Sequence, residues 1–229
     1  MCEHFVARSE RPFRIDELYP FVDKLERYGI AGFGWGAAWV AGAGRLASYR
    51  DVRAFRADPG REAIGRIETT SLLVHLRRPS RLSTLTLADT QPFEDPAGRF
   101  AFSHNGDLHE FRQQRRALQA AGRIHGRADS EVGQRWLEDA WQLDEPVDDL
   151  LGTLHATFGG QANLAVLAAD GRAYHYAANR ENPVFSFRIG AFAIASTGIY
   201  SIDRSFFRYV APGATDRCLV ALGSCAVLA

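Results

Sequence analysis

The sequence predicts an α+β fold with substantial antiparallel sheet. Apolar residues recur at spacings of three and four in four segments, which is the period of amphipathic helices. The rest contains short apolar or alternating runs, and turn sequences at 168–172 and 188–190 join some of them into hairpin-like pairs. No repeat of 20–50 residues and no linker divides the chain. Residues 1–229 are therefore expected to form one domain.

Four helices are predicted from this spacing. The first pattern stops before Gly29, and two others are closed by Gly122 and Gly159, as is typical of helix ends. One helix carries an apolar stripe that includes Trp136 and Trp141, which we interpret as core packing. The predicted helices span residues 14–28, 108–121, 129–143 and 147–158.

Eight strands are predicted from the apolar or alternating runs. Turns between several of them favour antiparallel pairing over a βαβ winding. The predicted strands span residues 32–40, 71–77, 99–103, 163–169, 172–177, 184–187, 191–196 and 217–222.

Charge and hydropathy exclude several classes of partner. Lys plus Arg number 27 and Asp plus Glu number 27, so no net charge favours nucleic acid or an anionic membrane surface. Apolar runs fall far short of the roughly 18–20 residues that span a bilayer. The first residues lack the basic and apolar regions of a secretory signal, so a cytoplasmic protein is expected.

The three cysteines are an odd number without CxxC spacing, which argues against a disulfide framework and a zinc site. The sequence shows no ligand cluster, so no metal or cofactor is expected. Cys218 and Cys225 lie in apolar sequence and are predicted to behave as small hydrophobic residues.

Cys2 differs from the other cysteines by its position directly after Met1. Removal of the methionine would leave a cysteine with a free α-amine, whose reference pKa of about 7.7–8.0 makes it partly neutral at physiological pH. This amine would lie within reach of the thiol of the same residue. Base and nucleophile would then share one residue, an arrangement used in covalent catalysis.

A strand-like run at 70–80 places His75 and Arg77 on one face. A guanidinium binds a carboxylate through two parallel hydrogen bonds, as a site for an amino-acid substrate requires. The alternative is an ordinary surface or ion-paired arginine.

A second apolar run, 100–103, stops at His104-Asn105-Gly106, just before a helical pattern. The Asn-Gly pair could be only a turn. Alternatively, the Asn105 amide and the Gly106 N–H could form an oxyanion hole, since glycine permits close approach of the backbone.

Asp129 begins a predicted helix, with Ser130 and Glu131 after it. Acidic residues in this position stabilise the start of a helix. A carboxylate fixed there could also accept the α-ammonium of a bound amino acid.

The four signals, Met1-Cys2, His75-Leu-Arg77, His104-Asn105-Gly106 and Asp129-Ser130-Glu131, resemble in order and interval the class II glutamine amidotransferases, which are N-terminal-nucleophile hydrolases. The resemblance runs from residue 2 to about 131 and continues more loosely to Ala195-Ser196-Thr197. It implies an αββα sandwich of two antiparallel sheets between layers of helices.

The resemblance also implies a role for each matching residue. Cys2 would be the nucleophile with its own α-amine as base, Asn105 and Gly106 the oxyanion hole, Arg77 the ligand of the substrate carboxylate and Asp129 that of its ammonium. The supporting, substrate-side residues would be His75, Ser80 and His104.

Some positions depart from the family pattern. Pro79 lies between Arg78 and Ser80, in the loop that helps to hold the substrate in such glutaminases, and Gln91 stands where relatives often have histidine. The segment 31–36 also lacks the polar residues that often precede its Gly-Trp-Gly-like turn. These differences bear on the substrate more than on the catalytic apparatus.

The expected activity is cleavage of the γ-amide of glutamine or a γ-glutamyl amide through a thioester on Cys2. A separate synthase subunit could use the ammonia. The alternatives are a γ-glutamyl conjugate amidohydrolase of an ergothioneine-like pathway, a non-catalytic glutamine-binding subunit, and an amidase with the same nucleophile but a different acyl substrate.

Overall fold

Two antiparallel sheets lie face to face, and helices cover the outer face of each. The computed structural model describes residues 2–29, 31–42, 44–141, 145–199 and 204–229, with the backbone alone described for 204–206. This αββα arrangement confirms the α+β class and the sandwich that the resemblance implied.

The described residues form twelve strands, all paired antiparallel. In chain order they are β1 (Glu3–Arg14), β2 (Trp35–Val40), β3 (Leu46–Asp51), β4 (Glu68–Leu76), β5 (Phe93–Glu94), β6 (Phe100–Leu108), β7 (Gly160–Ala168), β8 (Ala173–Ala177), β9 (Phe185–Ile189), β10 (Phe192–Ser196), β11 (Thr215–Leu219) and β12 (Ser224–Leu228). The larger sheet has the order β11-β9-β10-β1-β4-β2-β3, and the smaller has the order β12-β8-β7-β6-β5.

The helices divide between the two outer faces. The described helices are α1 (Tyr19–Tyr28), α2 (Arg61–Gly65), α3 (Phe111–Ala120), α4 (Asp129–Ala140), α5 (Val147–Phe158) and α6 (Arg204–Val210). Apolar residues of α1, α2 and α6 share a core with the larger sheet, and those of α3, α4 and α5 share one with the smaller sheet.

Small side chains fill much of the layer between the sheets. Short residues permit close approach of two sheet faces, which otherwise pack about 10 Å apart. The buried apolar residues of this layer come from strands of both sheets and from Val184, just before β9: Val6, Ala38, Leu73, Ala101, Ala165, Leu167, Ala173, Ala177, Val184 and Ala195.

A chain of buried polar side chains crosses the same layer. His175 of the smaller sheet contacts His4 of the larger through their Nε2 atoms at 3.0 Å. His4 Nδ1 lies 2.9 Å from Ser103 Oγ, and His75 Nδ1 lies 2.7 Å from the same oxygen. The chain therefore links strands of the two sheets alternately, in the order β8, β1, β6 and β4.

A backbone carbonyl sets the direction of this chain. His175 Nδ1 lies 3.0 Å from Ala195 O, which can only accept, so Nδ1 carries the proton and Nε2 accepts from His4. His4 Nδ1 then accepts from the Ser103 hydroxyl, which accepts in turn from His75 Nδ1–H. In this assignment all three histidines are neutral.

The helix predictions are confirmed except at their ends. The first starts late, because Arg14 ends β1 and Ile15–Leu18 forms a 3-10 turn before α1. The second also starts late, because β6 pairs with β7 as far as Leu108. The third begins at Asp129 as predicted but ends at Ala140, because Trp141 is extended; the predicted last residues, 142 and 143, lie outside the described part of the chain. The fourth coincides with α5.

All eight predicted strands are present in the described chain, with shifted ends, but β1, β3, β5 and β12 were not predicted. β1 contains several charged residues, and it also contains Pro12, a residue type that is rare inside strands. Its pairing with β4 shifts register between Arg8 and Phe13, and this irregularity accommodates the proline. The predicted strand 217–222 was too long, because the chain turns before β12 and changes sheet.

The two late cysteines differ in environment. Cys225 packs partly buried against the core of the smaller sheet, as predicted. The prediction for Cys218 was wrong: this residue is exposed, because β11 is an edge strand.

Among the described helices, none has the length and apolar character to cross a membrane.

The buried histidines predict a loss of stability in acid. Burial lowers the pKa of His75 to about 3 and that of His175 to about 4, whereas an unfolded histidine titrates near pH 6.5. Below pH 6.5 the unfolded state binds more protons, so the free energy of unfolding falls as the pH falls toward 4. Thermal unfolding at pH 7, 6, 5 and 4.5 should show a falling midpoint.

A matched variant separates the histidines from carboxylates that titrate in the same range. His175→Asn removes one titrating group, so its midpoint should fall less steeply with pH than that of the wild type, whatever its stability at pH 7. Parallel curves for the two proteins would contradict the assignment of the acid sensitivity to this chain of residues.

Candidate active site

Cys2 lies at the edge of the layer between the sheets, immediately before β1. The Arg78 N–H donates to its sulfur at 3.3 Å, so a backbone donor faces the thiol. Burial raises the pKa of the Cys2 thiol, whereas this N–H and the charge of Arg77 lower it. The sulfur is thus held beside the end of β4, in reach of donors that would stabilise a thiolate.

Asn105 reaches Cys2 from the opposite sheet. It lies on β6, two residues beyond Ser103 and therefore on the same inner face. Its side-chain amide donates to the carbonyl oxygen of Cys2. An amide nitrogen carries two hydrogens, and no second acceptor for this nitrogen is present in the described part of the chain. One N–H is thus left for a bound molecule.

Gly106 follows within the strand, which does not stop at Ser103 as predicted but continues to Leu108. Gly106 has φ of +134°, and a Cβ built on it would lie 1.6 Å from the Gln161 carbonyl oxygen of β7. Only glycine fits this position. The close approach seen in the structure is that of the neighbouring strand β7, whereas the role of the Gly106 N–H in an oxyanion hole stays a prediction.

Arg77 is 4% exposed and extends from the end of β4 into the same region. Its guanidinium donates to the carbonyl oxygens of Thr84 and Thr86 and to the Thr90 hydroxyl. Burial lowers the pKa of Arg77, and the neighbouring Cys2 and Asp89 act in the opposite direction. The side chain is a buried cation held by the loop that follows it.

Asp129 lies at the start of α4, as predicted. Its Oδ2 accepts from the Leu108 N–H at 2.7 Å and its Oδ1 from the Ser130 N–H at 2.9 Å. The first bond ties the carboxylate to the end of β6, which also carries Asn105 and Gly106. Asp129 is partly exposed, so a bound cation could still reach it.

His75 and His104 lie inside the protein rather than on the surface of the site. His75 belongs to the polar chain between the sheets, and the Nε2 atoms of both residues are buried without a hydrogen-bond partner in the described structure. His104 faces the helices, where its Nδ1 lies 2.9 Å from Ser130 Oγ. Ser80 is exposed in the loop after Arg77.

Gln91 links two parts of the site from behind. Its Oε1 accepts from the His104 N–H at 2.6 Å, and its Nε2 donates to the His104 carbonyl and to Ser130 Oγ, both at 3.2 Å. The residue next to Asn105 is thereby tied to the residue next to Asp129. The departure from histidine at this position leaves a glutamine that satisfies three partners.

Four polar residues near Cys2 and Asn105 were not identified from the sequence: Glu3, Asn163, Asn179 and Asn182. The Asn182 amide donates to Glu3 Oε2 at 2.9 Å and lies 3.4 Å from the Cys2 carbonyl oxygen. The available signal was the single asparagine, at 163, within an otherwise mostly apolar strand, 160–168.

No group of His, Cys, Asp and Glu in the described residues is arranged to hold a metal ion.

Comparisons with known proteins concern the family and the fold of the chain. The family model of class-II glutamine amidotransferases matches residues 1–192. A comparison with curated protein sequences finds no match.

Solved structures share the fold at 16% identity. One is a glutamine phosphoribosylpyrophosphate amidotransferase from B. subtilis complexed with ADP and GMP, with TM-score 0.75 over 99% of this chain and 47% of that chain. Another, an allosteric regulatory enzyme of purine biosynthesis, has TM-score 0.76 over 99% of this chain and 46% of that chain. This chain thus spans about half the length of either. A glutamine aminotransferase class-II domain protein from Silicibacter pomeroyi gives TM-score 0.58 over 98% of both chains.

The packing at Gly106 predicts that Gly106→Ala destabilises the protein by roughly 2–4 kcal/mol, because backbone strain and overlap with Gln161 add. Gly98→Ala is the matched control. Gly98 also has positive φ, at +72°, but has open space around it, so only about 1–2 kcal/mol of strain is expected. Urea unfolding measures the free energy of unfolding of both variants. Equal decreases in the two would show that β7 moves away from the added methyl group without a further loss of stability.

Proposed function

The chain belongs to the class-II glutamine amidotransferases, and from that premise we propose that it hydrolyses the γ-amide of glutamine or of a γ-glutamyl amide through a thioester on Cys2. The observation that carries the proposal is the contact between Cys2 and the Asn105 amide. These residues are 103 positions apart, one just before β1 of the larger sheet and the other on β6 of the smaller, yet the proposed nucleophilic residue and the candidate oxyanion donor are in contact.

The proposed reaction begins with cleavage before Cys2, which frees its α-amine. The amine takes the thiol proton as the sulfur attacks the carboxamide carbon, and the carbonyl oxygen becomes an oxyanion bound by the free N–H of Asn105 and by Gly106. The C–N bond then breaks, and the ammonium of Cys2 returns the proton to the leaving ammonia.

Water completes the cycle. The α-amine takes a proton from water as the oxygen attacks the thioester carbon, and a second tetrahedral oxyanion forms at the same donors. The C–S bond breaks, glutamate leaves, and the thiol regains the proton held by the amine. All atoms come from the amide and one water, and the proposed steps use only groups of this chain and the substrate.

Arg77 and Asp129 would hold the amino-acid end of the substrate. Three bonds to the loop occupy both Nη1 hydrogens and one Nη2 hydrogen, so Nε–H and a second Nη2–H have no acceptor in the described residues. Two such donors suit the two oxygens of an α-carboxylate. Asp129 Oδ1 and Oδ2 each keep a lone pair for the α-ammonium.

The fate of the ammonia separates hydrolysis from transfer. This chain spans about half the length of two solved structures that it resembles, one of them an amidotransferase. A separate synthase partner that consumes the ammonia belongs to the proposal only if the reaction is transfer. Hydrolysis of a small γ-glutamyl amide needs no such partner.

Covalent labelling tests the nucleophile. Intact-mass measurement before and after exposure to a γ-glutamyl diazoketone should show protein that begins at Cys2 and gains a single adduct, with loss of N2 from the reagent. Cys2→Ala should gain none.

Exposed Cys218 provides the internal control for this labelling, since Cys218→Ala should leave the adduct unchanged. An adduct that persists in Cys2→Ala would contradict the nucleophile. Binding of glutamine by correctly processed protein without any adduct or ammonia release would favour a non-catalytic binding subunit.

The carboxylate clamp predicts a split between binding and chemistry. Arg77→Lys loses the two-donor fork, so KM for L-glutamine should rise by about 10–100-fold, equivalent to roughly 1.4–2.8 kcal/mol, while kcat changes less. Arg81→Lys, at an exposed residue of the following loop, is the matched control and should leave both constants unchanged. Unaltered KM in Arg77→Lys would point to an acyl substrate without the amino-acid end.

A further inference from the structure

A cluster of four buried asparagines includes Asn105, whose amide contacts Cys2. Asn105 and Asn163 face each other on β6 and β7, while Asn179 and Asn182 lie in the segment after β8. All four are at most 1% exposed. A buried amide group must find partners for both its oxygen and its nitrogen, so each of these side chains has a definite direction.

Backbone groups fix the direction of Asn163. Its Oδ1 accepts from the Ala178 N–H at 3.0 Å and from the Asn179 N–H at 3.1 Å. Backbone N–H groups can only donate, so the oxygen must face them and the nitrogen must face away. The nitrogen donates to the Asn182 carbonyl at 2.7 Å and to Asn105 Oδ1 at 3.3 Å.

Asn179 is fixed in the same way from another side. Its Oδ1 accepts from the N–H groups of Glu181 and Asn182 at 3.0 and 3.3 Å. Its Nδ2 donates to Asn105 Oδ1 at 3.5 Å. Two amide nitrogens, each set by backbone donors, therefore converge on one oxygen.

The consequence falls on Asn105, whose oxygen faces two donors and whose nitrogen must face Cys2. In the flipped orientation, the Asn105 nitrogen would face the donors of Asn163 and Asn179, and its oxygen would face the Cys2 carbonyl. All three contacts would then be repulsive in a buried region where unpaired polar groups are costly.

We propose that Asn163 and Asn179 are positioning residues for catalysis, which transmit the direction of backbone N–H groups to Asn105 and hold its amide N–H toward the reacting carbonyl. This inference rests on the proposed function of Asn105 as an oxyanion donor. An amide held in advance gains its value from not having to reorient when the charge forms.

The side-chain amide of Asn182 is also oriented by a backbone N–H, on another side of Cys2. The Gly198 N–H donates to its Oδ1 at 3.0 Å, so its nitrogen faces Glu3 and the Cys2 carbonyl. Because Asn182 itself contacts Cys2, its substitution would mix direct and transmitted effects. Asn163 and Asn179 are the cleaner sites for a test.

The test replaces the amide by a carboxylate of the same shape. In Asn163→Asp and Asn179→Asp, one oxygen can still accept from the backbone N–H groups, but an acceptor, or a hydroxyl when protonated, replaces the NH2 that faces Asn105. With L-glutamine as the probe, each variant should lower kcat at least tenfold and change KM less than twofold, because Arg77 and Asp129 are untouched.

Two controls separate positioning from stability. Gln161→Glu makes the same chemical change on β7, at an exposed residue whose Oε1 accepts from the Arg180 N–H, and should keep wild-type kcat and KM. Leu154→Ala removes buried packing from α5 and should lower the unfolding temperature without lowering kcat at a temperature where the protein is folded.

Asn105→Ala separates the two levels of the proposal. If wild-type protein releases ammonia and Asn105→Ala loses activity, retention of wild-type kcat by folded Asn163→Asp and Asn179→Asp overturns the positioning role alone. If wild-type protein that begins at Cys2 releases no ammonia, the proposed function fails, and the positioning role with it. Loss of kcat at constant KM in either folded Asp variant, with both controls active, supports the inference.

Discussion

The close approach of two sheets across a layer of small side chains is the constraint on which the site depends. Cys2 precedes a strand of the larger sheet and Asn105 lies on a strand of the smaller one, so neither sheet by itself forms the site. Alanine and valine between the sheets permit the approach, and the histidine–serine chain supplies hydrogen bonds across it. Without this close approach, Cys2 and the Asn105 amide would not be in contact.

The polar groups of this layer are directed by backbone atoms. A carbonyl at Ala195 sets the direction of the histidine chain, and backbone N–H groups set the directions of Asn163 and Asn179. Side chains whose polarity is otherwise ambiguous thereby acquire one orientation. In a buried region the alternative orientations leave donors facing donors, which is why the arrangement is stable as well as specific.

The sequence predicted most helices and eight strands because their apolar periods are regular. It did not reveal β1, whose charges and Pro12 resemble a loop, nor did it show that β6 continues beyond Ser103. In both cases hydrogen bonding to neighbouring strands outweighs the local conformational preference of the residues. The strands that pair with β1 and β6 are distant in sequence, so local patterns do not reveal this pairing. Cys218 was misjudged for a related reason: an apolar sequence at a sheet edge remains exposed.

By itself the sequence determined the fold class, the amphipathic elements and, through spaced short motifs, the residues Cys2, Arg77, Asn105, Gly106 and Asp129 as a candidate set. Only the tertiary structure decided which of these are in contact, which loop groups accept the hydrogen bonds of Arg77, and why Gly106 must be glycine. It alone revealed the asparagine cluster. Periodicity and motifs are local properties of a chain, whereas the direction of a buried amide depends on partners contributed by several distant segments.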